Sequence, residues 1–582
     1  MPLDLEFSWV DYVVFAAMIV ASFGIGIYHA IKSSGNNEEY LMGGHSIGVI
    51  PMAISLCASF NSAYMILGIP SEMYTYGTQF YLMIFGTGVG VVLAAELWIP
   101  VLYRLQVVSI YEYFELRYKS KFPRILMTII FVLKTVLYTA LVVYAPTIAL
   151  SSVSSLSWWV CILVLGISST LYTTLGGMKA IVWTDVFQIF IMFGGILAIL
   201  IRGLERTGGF SNVWDTAEKS GRIEFFNFSL DPFERHTFFN VLIGTIILWG
   251  SPYVCSQYLV HRCICLESLA KGKLALYLNY VGQVTMVTLV STVGLVLYSY
   301  YLECDPVLAN VVSKRDAVIP LFVLQEFATY YGIPGIFISC LFSGALSTLD
   351  SALHALAAVT WEEIKGFEMF QKITDAQETR ITKALSIGFG LIATGLAFLC
   401  RNVGSLISLG GTLFGACMGP MFAFFLMSVT LPFLNLKGSC IGLVISQIIN
   451  IILSIGSVVY SVPAPKLELH LTNCSMFGLD LDSFDSNQTS NALTQGQYEA
   501  EHNSFLAIFQ LSYNIYPIIG FCLTFVLASI LSLFFGGDKD ITQDDEPYFI
   551  PGAWKLYNRI REVPKGSNLI SNLDGHKMEP IE

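Results

Sequence analysis

The stretch "LFSGALSTLDSALHALAAVT", residues 341–360, is apolar enough to cross a membrane, yet it carries Ser343, Ser347, Thr348, Asp350, Ser351 and His354. Six polar side chains within about three helical turns are costly at bilayer depth unless they face a cavity, an ion or a partner helix. This helix therefore separates a passive membrane bundle from one with a working polar centre.

The rest of the chain supplies the bilayer context. Of 582 residues, 55% are hydrophobic and only 13% are charged, against about 25% charged in an average soluble domain. Apolar runs of about 20 residues, the length that spans the hydrocarbon core, number about thirteen. They fall near 9–31, 47–70, 79–103, 125–149, 157–176, 180–203, 238–260, 274–300, 333–361, 382–400, 405–432, 439–461 and 512–536. The expected fold is an all-α polytopic membrane protein, with residues 1–536 forming one membrane domain. The net charge of −11 sits mostly in loops and tail, and no basic stripe points to nucleic acid. The first apolar run follows "MPLDLEFSWVDY", which has no Lys or Arg and no small-residue cleavage site, so it reads as a retained helix. The twelve Cys are scattered without metal-type spacing and read mostly as small core residues.

Loop charge sets the expected orientation. Arg104, Arg117, Lys119, Lys121 and Arg124 fall in one short segment, and Arg262, Lys271 and Lys273 in another. Both are expected on the cytoplasmic side. Thirteen spans then place the N-terminus outside and the C-terminus inside, at the plasma membrane. The sequons "NFS" at Asn227, "NCS" at Asn473 and "NQT" at Asn487 agree, because all three fall in loops this topology places outside. Residues 462–511 are thus expected to form an extracellular glycosylated loop, and residues 537–582 a cytoplasmic tail.

Two spans are irregular in composition. "GVIPMAISLCASFNSAYMILGIPSE" mixes Pro51, Ser55, Ser59, Asn61 and Ser62 into an apolar run, and "LIGTIILWGSPYVCSQYL" does so with Gly244, Gly250, Ser251, Pro252 and Gln257. Each opens a possible five-helix unit, about 47–203 and 238–432, and an odd number of spans makes the two units inverted relative to one another. Interrupted helices at matching positions in two halves point to a solute site at the bilayer midplane.

The segments "SFNSAYMILGIPSEMYTYG", "TLGGMKAIVWTDVFQIFIM", "DPFERHTFF" and "LFSGALSTLDSALHALAAVTWEEI" resemble the sodium:solute symporter family, in its branch of sodium-coupled monocarboxylate, multivitamin and iodide transporters. The resemblance implies a LeuT-like core of two inverted five-helix repeats, one helix before it and two after. It also implies a sodium site at Ser347 and Thr348, with carbonyl partners near Ser55 to Ser59, and it ties Asp185 and Gln188 to sodium together with Ser59, Ser62, Tyr138 and Gln257. A helix places Asp185 and Gln188 on one face, and sodium, a hard cation, takes oxygen ligands. The opposing reading is that such hydroxyls and amides only bridge helices. Met65, Trp249 and Gln257 are the candidates for the solute pocket. Departures from the branch, Thr75 after "PSEMY" and "CSQYLVHR" in place of Gln-rich text, fall on the solute side.

Three further charges invite local readings. Glu96 and Lys134 lie at matching depth and are expected to pair across helices, or Lys134 to snorkel. Asp350 either lines the sodium exit path or pairs with His354 one turn on.

The function expected is sodium-coupled import of a small organic anion by alternating access, with Na+ as coupling ion, no other cofactor and the lipid bilayer as its surroundings. An inorganic anion carrier of the iodide type and a transport-silent sensor or channel are the alternatives. No catalytic triad, metal cluster or paired carboxylates suggests an enzyme.

Overall fold

The computed structural model describes the chain apart from residues 1–6, 33–39, 42–46, 155, 328, 367–369, 371–372, 403–405, 461–465, 478–505, 539–540 and 562–582. Among the described residues the chain is helical, with an isolated antiparallel bridge between Cys304 and Leu471. Among the described residues eleven helices are long and apolar enough to cross a membrane, and one bent pair passes the same test as a twelfth. The predicted span 157–176 is realised only as a shorter apolar helix, Trp158–Leu171.

We number the helices that frame the centre. They are α1 (Trp9–Lys32), the bent pair α2 (Val49–Phe60) and α3 (Ala63–Tyr76), α4 (Thr78–Leu105), α5 (Glu112–Tyr118) and α6 (Lys121–Val153). Then follow α7 (Trp158–Leu171), α8 (Gly177–Arg206), α9 (Phe238–Cys255), α10 (Gln257–Ile264), α11 (Leu269–Tyr300) and α12 (Ile333–Ile364). The chain continues through α13 (Asp375–Cys400), α14 (Leu406–Thr430), α15 (Leu436–Val459), α16 (Ile515–Phe534) and α17 (Pro551–Arg561).

Both irregular spans are broken. Between α2 and α3 the axis turns by 59° at Asn61 and Ser62, which leave helical geometry. The second break lies at Ser256, extended at φ −103°, ψ 118°, just after a π-helical turn over Ile246–Gly250. Ser and Asn hydrogen-bond locally in non-helical backbone, which is why a short polar step interrupts each apolar run. A third discontinuity separates α7 from α8, where Gly177 has φ +62°, a left-handed conformation that a side chain disfavours.

The second break corrects the sequence reading. The predicted span 238–260 ends instead at Cys255, and the chain re-enters a helix that carries Arg262 into the bundle, where it is 1% exposed. Arg262 is therefore not a loop charge.

Helix α12 is the hub. Almost every residue along it is buried, and it packs against α8, α6, α2, α1 and α13. Gly344 brings it onto the first break: a Cβ there would lie 3.0 Å from the Asn61 carbonyl oxygen and 3.1 Å from the Ala63 nitrogen.

Candidate functional site

The polar face of α12 meets the first break and α8 in one buried cluster. Thr348 donates to the carbonyl of Ser59 at 3.0 Å and to that of Gly344 at 3.0 Å. Its proton is spent on carbonyls, so its lone pairs are what it can offer a cation. Ser59 Oγ lies 3.4 Å from Ser347 Oγ and 2.8 Å from Ser351 Oγ. From α8, Asp185 Oδ2 accepts from Ser55 Oγ at 2.6 Å and Ser59 Oγ at 3.3 Å. Asp185, Gln188, Ser347 and Thr348 are each fully buried. The Tyr138 hydroxyl, on α6, faces Ser62 and Thr348, while its ring sits edge-on to Phe414. Five sodium candidates from α8 and α12, from the first break and from α6 thus converge: Ser59, Tyr138, Asp185, Ser347 and Thr348; Gln188 is buried one turn along α8 from Asp185. Ser62 joins them at the break itself.

Several oxygens in this cluster have no hydrogen-bond partner. They are Asp185 Oδ1 and Ser62 Oγ, while both the oxygen and the nitrogen of the Gln188 amide, one turn along α8 from Asp185, are open as well. Buried polar atoms are nearly always satisfied, so the open oxygens of Asp185 and Ser62 mark a place for something that accepts lone pairs. A hard cation does so. Among the described residues no three His, Cys, Asp or Glu side chains gather as a metal site, and hydroxyls with a single carboxylate suit an alkali cation better than a transition metal.

The remaining candidates behave otherwise. Gln257 accepts from the Ile110 backbone at 2.9 Å and donates to the Val108 carbonyl at 2.6 Å. Both ends of its amide bridge to the segment between α4 and α5, the structural role weighed against ion binding. Trp249 stands in the π-helical turn, 6.1 Å from the rings of both Phe60 and Tyr64, with Nε1 unpartnered. Met65 is buried on α3.

Two charge pairings expected from sequence do not form. Glu96 bonds Lys273 at 2.7 Å and Tyr277 at 2.8 Å, because the side chains of α11 reach it first at the bundle edge. Lys134, only 3% exposed, neither pairs with Glu96 nor snorkels; it donates to Ser256 Oγ at 3.0 Å. Asp350 Oδ1 accepts from Thr173 at 2.6 Å, and neither ring nitrogen of His354 has a hydrogen-bond partner. The His354 ring instead packs against Tyr40, 5.3 Å away.

Arg262 is the residue sequence reasoning missed. It bonds Asp185 Oδ2 at 3.1 Å, Ser59 Oγ at 2.5 Å, Ser351 Oγ at 2.7 Å and the Ser55 carbonyl at 3.1 Å. One guanidinium thereby ties α10 to α2, α8 and α12. A cavity walled by Met178, Gln257, Tyr258, Ser351, His354 and Ala358 lies beside it. The available signal was the helical spacing of Leu259, Val260, Cys263 and Ile264 around Arg262.

On the opposite side of the first break, Glu72 on α3 receives a two-pronged bond from Arg235, at 2.6 and 3.0 Å. Arg235 lies over the rings of Tyr76 and Tyr513. His236 is held 2.9 Å from the Tyr513 hydroxyl and 3.7 Å from Glu72. Both residues are fixed just ahead of α9, whose start is closed by reciprocal Thr237 and Asn240 bonds. Burial and the Arg235 charge hold the His236 pKa well below the ordinary imidazole value.

Two broken helices around a buried polar centre define the LeuT-like class of membrane transporter. A substrate-bound, outward-open Na+-coupled sialic acid symporter shares the fold with a TM-score of 0.74, covering 92% of this chain and 100% of that one at 21% identity. The sodium:solute symporter family model matches residues 40–446. Relatives include sodium-coupled monocarboxylate transporter 2 of Mus musculus, 37% identical over 94% of this chain and 87% of that protein. Sodium-coupled monocarboxylate transporter 1 of Homo sapiens is 37% identical over 98% and 93%, and the sodium-dependent multivitamin transporter of Oryctolagus cuniculus is 35% identical over 91% and 83%. The chain belongs to the sodium:solute symporter family. It is a sodium-coupled solute symporter and not an enzyme.

Proposed function

We propose that the chain imports a small organic anion, a monocarboxylate or vitamin-like acid, with Na+ across the plasma membrane. The observation that carries the reading is the pair of unpartnered buried oxygens on Asp185 and Ser62 in the cluster that holds the hydroxyls of Ser59, Ser347 and Thr348. In this reading Na+ sits among them. Arg262 holds one oxygen of Asp185 and leaves the other for the ion, so the bare site is not an isolated buried carboxylate. The names of the monocarboxylate and multivitamin relatives support the solute class.

The core repeats are residues 47–203 and 238–432, each opened by one of the broken helices, and alternating exposure follows from rocking one set of helices against the other. The face carrying Arg104, Arg117 and Arg124 is cytoplasmic. The opposite face carries Asn227, Asn473 and the Cys304–Cys474 disulfide, a bond that persists in oxidising surroundings. Asn487 lies outside the described residues.

The test is tracer uptake in cells expressing the chain, with a panel of lactate, nicotinate, biotin and iodide, in sodium and with sodium replaced by choline. Uptake of an organic acid that collapses in choline is expected. Uptake persisting at the same rate in choline removes the coupling, and uptake of iodide alone removes the organic anion.

A further inference from the structure

Lys134 stands in "FVLKTVLY" on α6, 3% exposed. Its ammonium carries three N–H donors, and among the described residues its only hydrogen bond goes to Ser256 Oγ at 3.0 Å. The side chain runs past the Phe131 ring, 5.3 Å from the charge. No carboxylate of the described residues lies within ion-pair distance, and Glu96, the acid at matching depth, is bonded to Lys273 and Tyr277. The end of α9 does not need this cation either, because the Cys255 carbonyl accepts from Tyr111 at 2.8 Å. A cation buried in a membrane bundle without its own anion is a place where an anion arrives.

The position of Lys134 says which anion. Ser256 is the break of the second interrupted helix. Tyr138, one turn along the same face of α6, faces Ser62 at the break of the first. This face of α6 therefore joins the two breaks, where transporters of this architecture hold their solute. A chain of rings also connects them: Tyr138 to Phe414 at 4.7 Å, Phe414 to Tyr64 at 6.3 Å, Tyr64 to Trp249 at 6.1 Å and Trp249 to Phe60 at 6.1 Å. Trp249 Nε1, in this chain of rings, is buried and has no partner, and neither has Ser251 Oγ two residues on. One unspent cation, a few open donors and aromatic walls are the recognition chemistry of a small acid with an apolar body.

We infer that Lys134 binds the carboxylate of the transported solute and sets the preference for organic anions over neutral molecules of the same shape. This inference rests on the organic anion reading above and names the residue that enforces it. Two donors of the ammonium grip the carboxylate while the third stays on Ser256.

The experiment compares nicotinate with nicotinamide, which differ in replacing a carboxylate by an amide, as inhibitors of sodium-dependent nicotinate uptake. Wild-type protein is expected to discriminate against the amide by at least about tenfold. Lys134→Met, at matched surface expression, is expected to raise the KM for nicotinate by about tenfold or more and to erase that discrimination, while residual uptake still collapses in choline. Lys134→Gln, which keeps length and a polar end, serves if the Met variant is retained inside the cell. Wild-type protein that accepts the amide as readily as the acid overturns the assignment without any variant. So does a surface-expressed variant that keeps the wild-type preference, or one that loses iodide uptake while keeping nicotinate. Persistence of wild-type uptake in choline sinks the symport reading instead, which separates the two failures.

Discussion

Thr348 concentrates the residue-scale argument. Its hydroxyl proton goes to the carbonyls of Ser59 and Gly344, and the ion-ligand role proposed for it depends on oxygen rather than on shape. Thr348→Ser keeps the oxygen and is expected to leave the sodium dependence of uptake nearly unchanged. Thr348→Val keeps the shape, removes the oxygen and strands the Ser59 carbonyl, costing about 1–2 kcal/mol. Apparent sodium affinity should then fall about 5- to 30-fold, with solute affinity falling alongside because the two sites are linked. The reverse order, with Val mild and Ser severe, would show that the position serves packing alone. The resemblance to the sodium:solute symporters singled out Ser59, Asp185, Gln188, Ser347 and Thr348 as candidates, and their polarity inside apolar runs is visible in the sequence. Arg262 was not singled out. A basic residue near other basic residues reads as a loop charge until the fold turns the helix inward and buries it.

At the scale of elements, the closure between α3 and the segment ahead of α9 rests on Glu72, Arg235, His236 and Tyr513, with Tyr76 and Phe80 packed around them. The Glu72–Arg235 pair is largely buried, with side-chain exposures of 2% and 14%. Glu72→Gln leaves a buried guanidinium without its anion and is expected to destabilise the fold by about 3–5 kcal/mol, seen as a lowered melting temperature of purified protein. A melting temperature unchanged in that variant would mean the pair contributes nothing to closure.

His236 adds a pH term to the same closure. Its folded pKa is depressed, so the folded state binds this proton less readily than the unfolded chain does. The stabilisation is present above about pH 6.5, the unperturbed value, and is lost as pH falls below it towards the folded pKa. Melting temperature should therefore drop between pH 7.5 and 5.5, and His236→Gln should flatten that dependence. An identical slope in both proteins would assign the pH term to another group. The pairing itself was not legible, since Glu72 and Arg235 are 163 residues apart and only the tertiary fold brings them together.

Over the whole molecule, the two faces are built differently. On one, the Cys304–Cys474 disulfide clips the segment after α11 to the segment after α15, reinforced by backbone bonds from Asp305 to His470 and from Thr472 to Glu303. On the other, α5 anchors the tail. Arg117 bonds Asp538 at 3.0 Å, Lys119 bonds Asp545 at 3.2 Å, and the Arg117 guanidinium lies over Phe549, which stacks on Trp554. The proposed orientation puts the disulfide face outside. Asn473, exposed beside that disulfide, should then carry a glycan, and Asn473→Gln should run faster on a denaturing gel than the parent chain, with uptake retained. A variant whose mobility is unchanged, and unchanged again after glycosidase, would remove this support for the orientation.

The sequence by itself determined the bilayer setting and the broken spans, and its resemblance to the sodium:solute symporters pointed to the hydroxyl-and-carboxylate set at the centre. The first two follow from local composition: apolar length and polar interruptions. Tertiary structure decided the partners of the charges. Glu96 went to Lys273, Lys134 to Ser256, Asp350 to Thr173 and Arg262 to Asp185, because in a medium without water a charge bonds whatever the packing of distant helices places against it. That choice depends on helix rotation and crossing, which no local stretch of the sequence encodes.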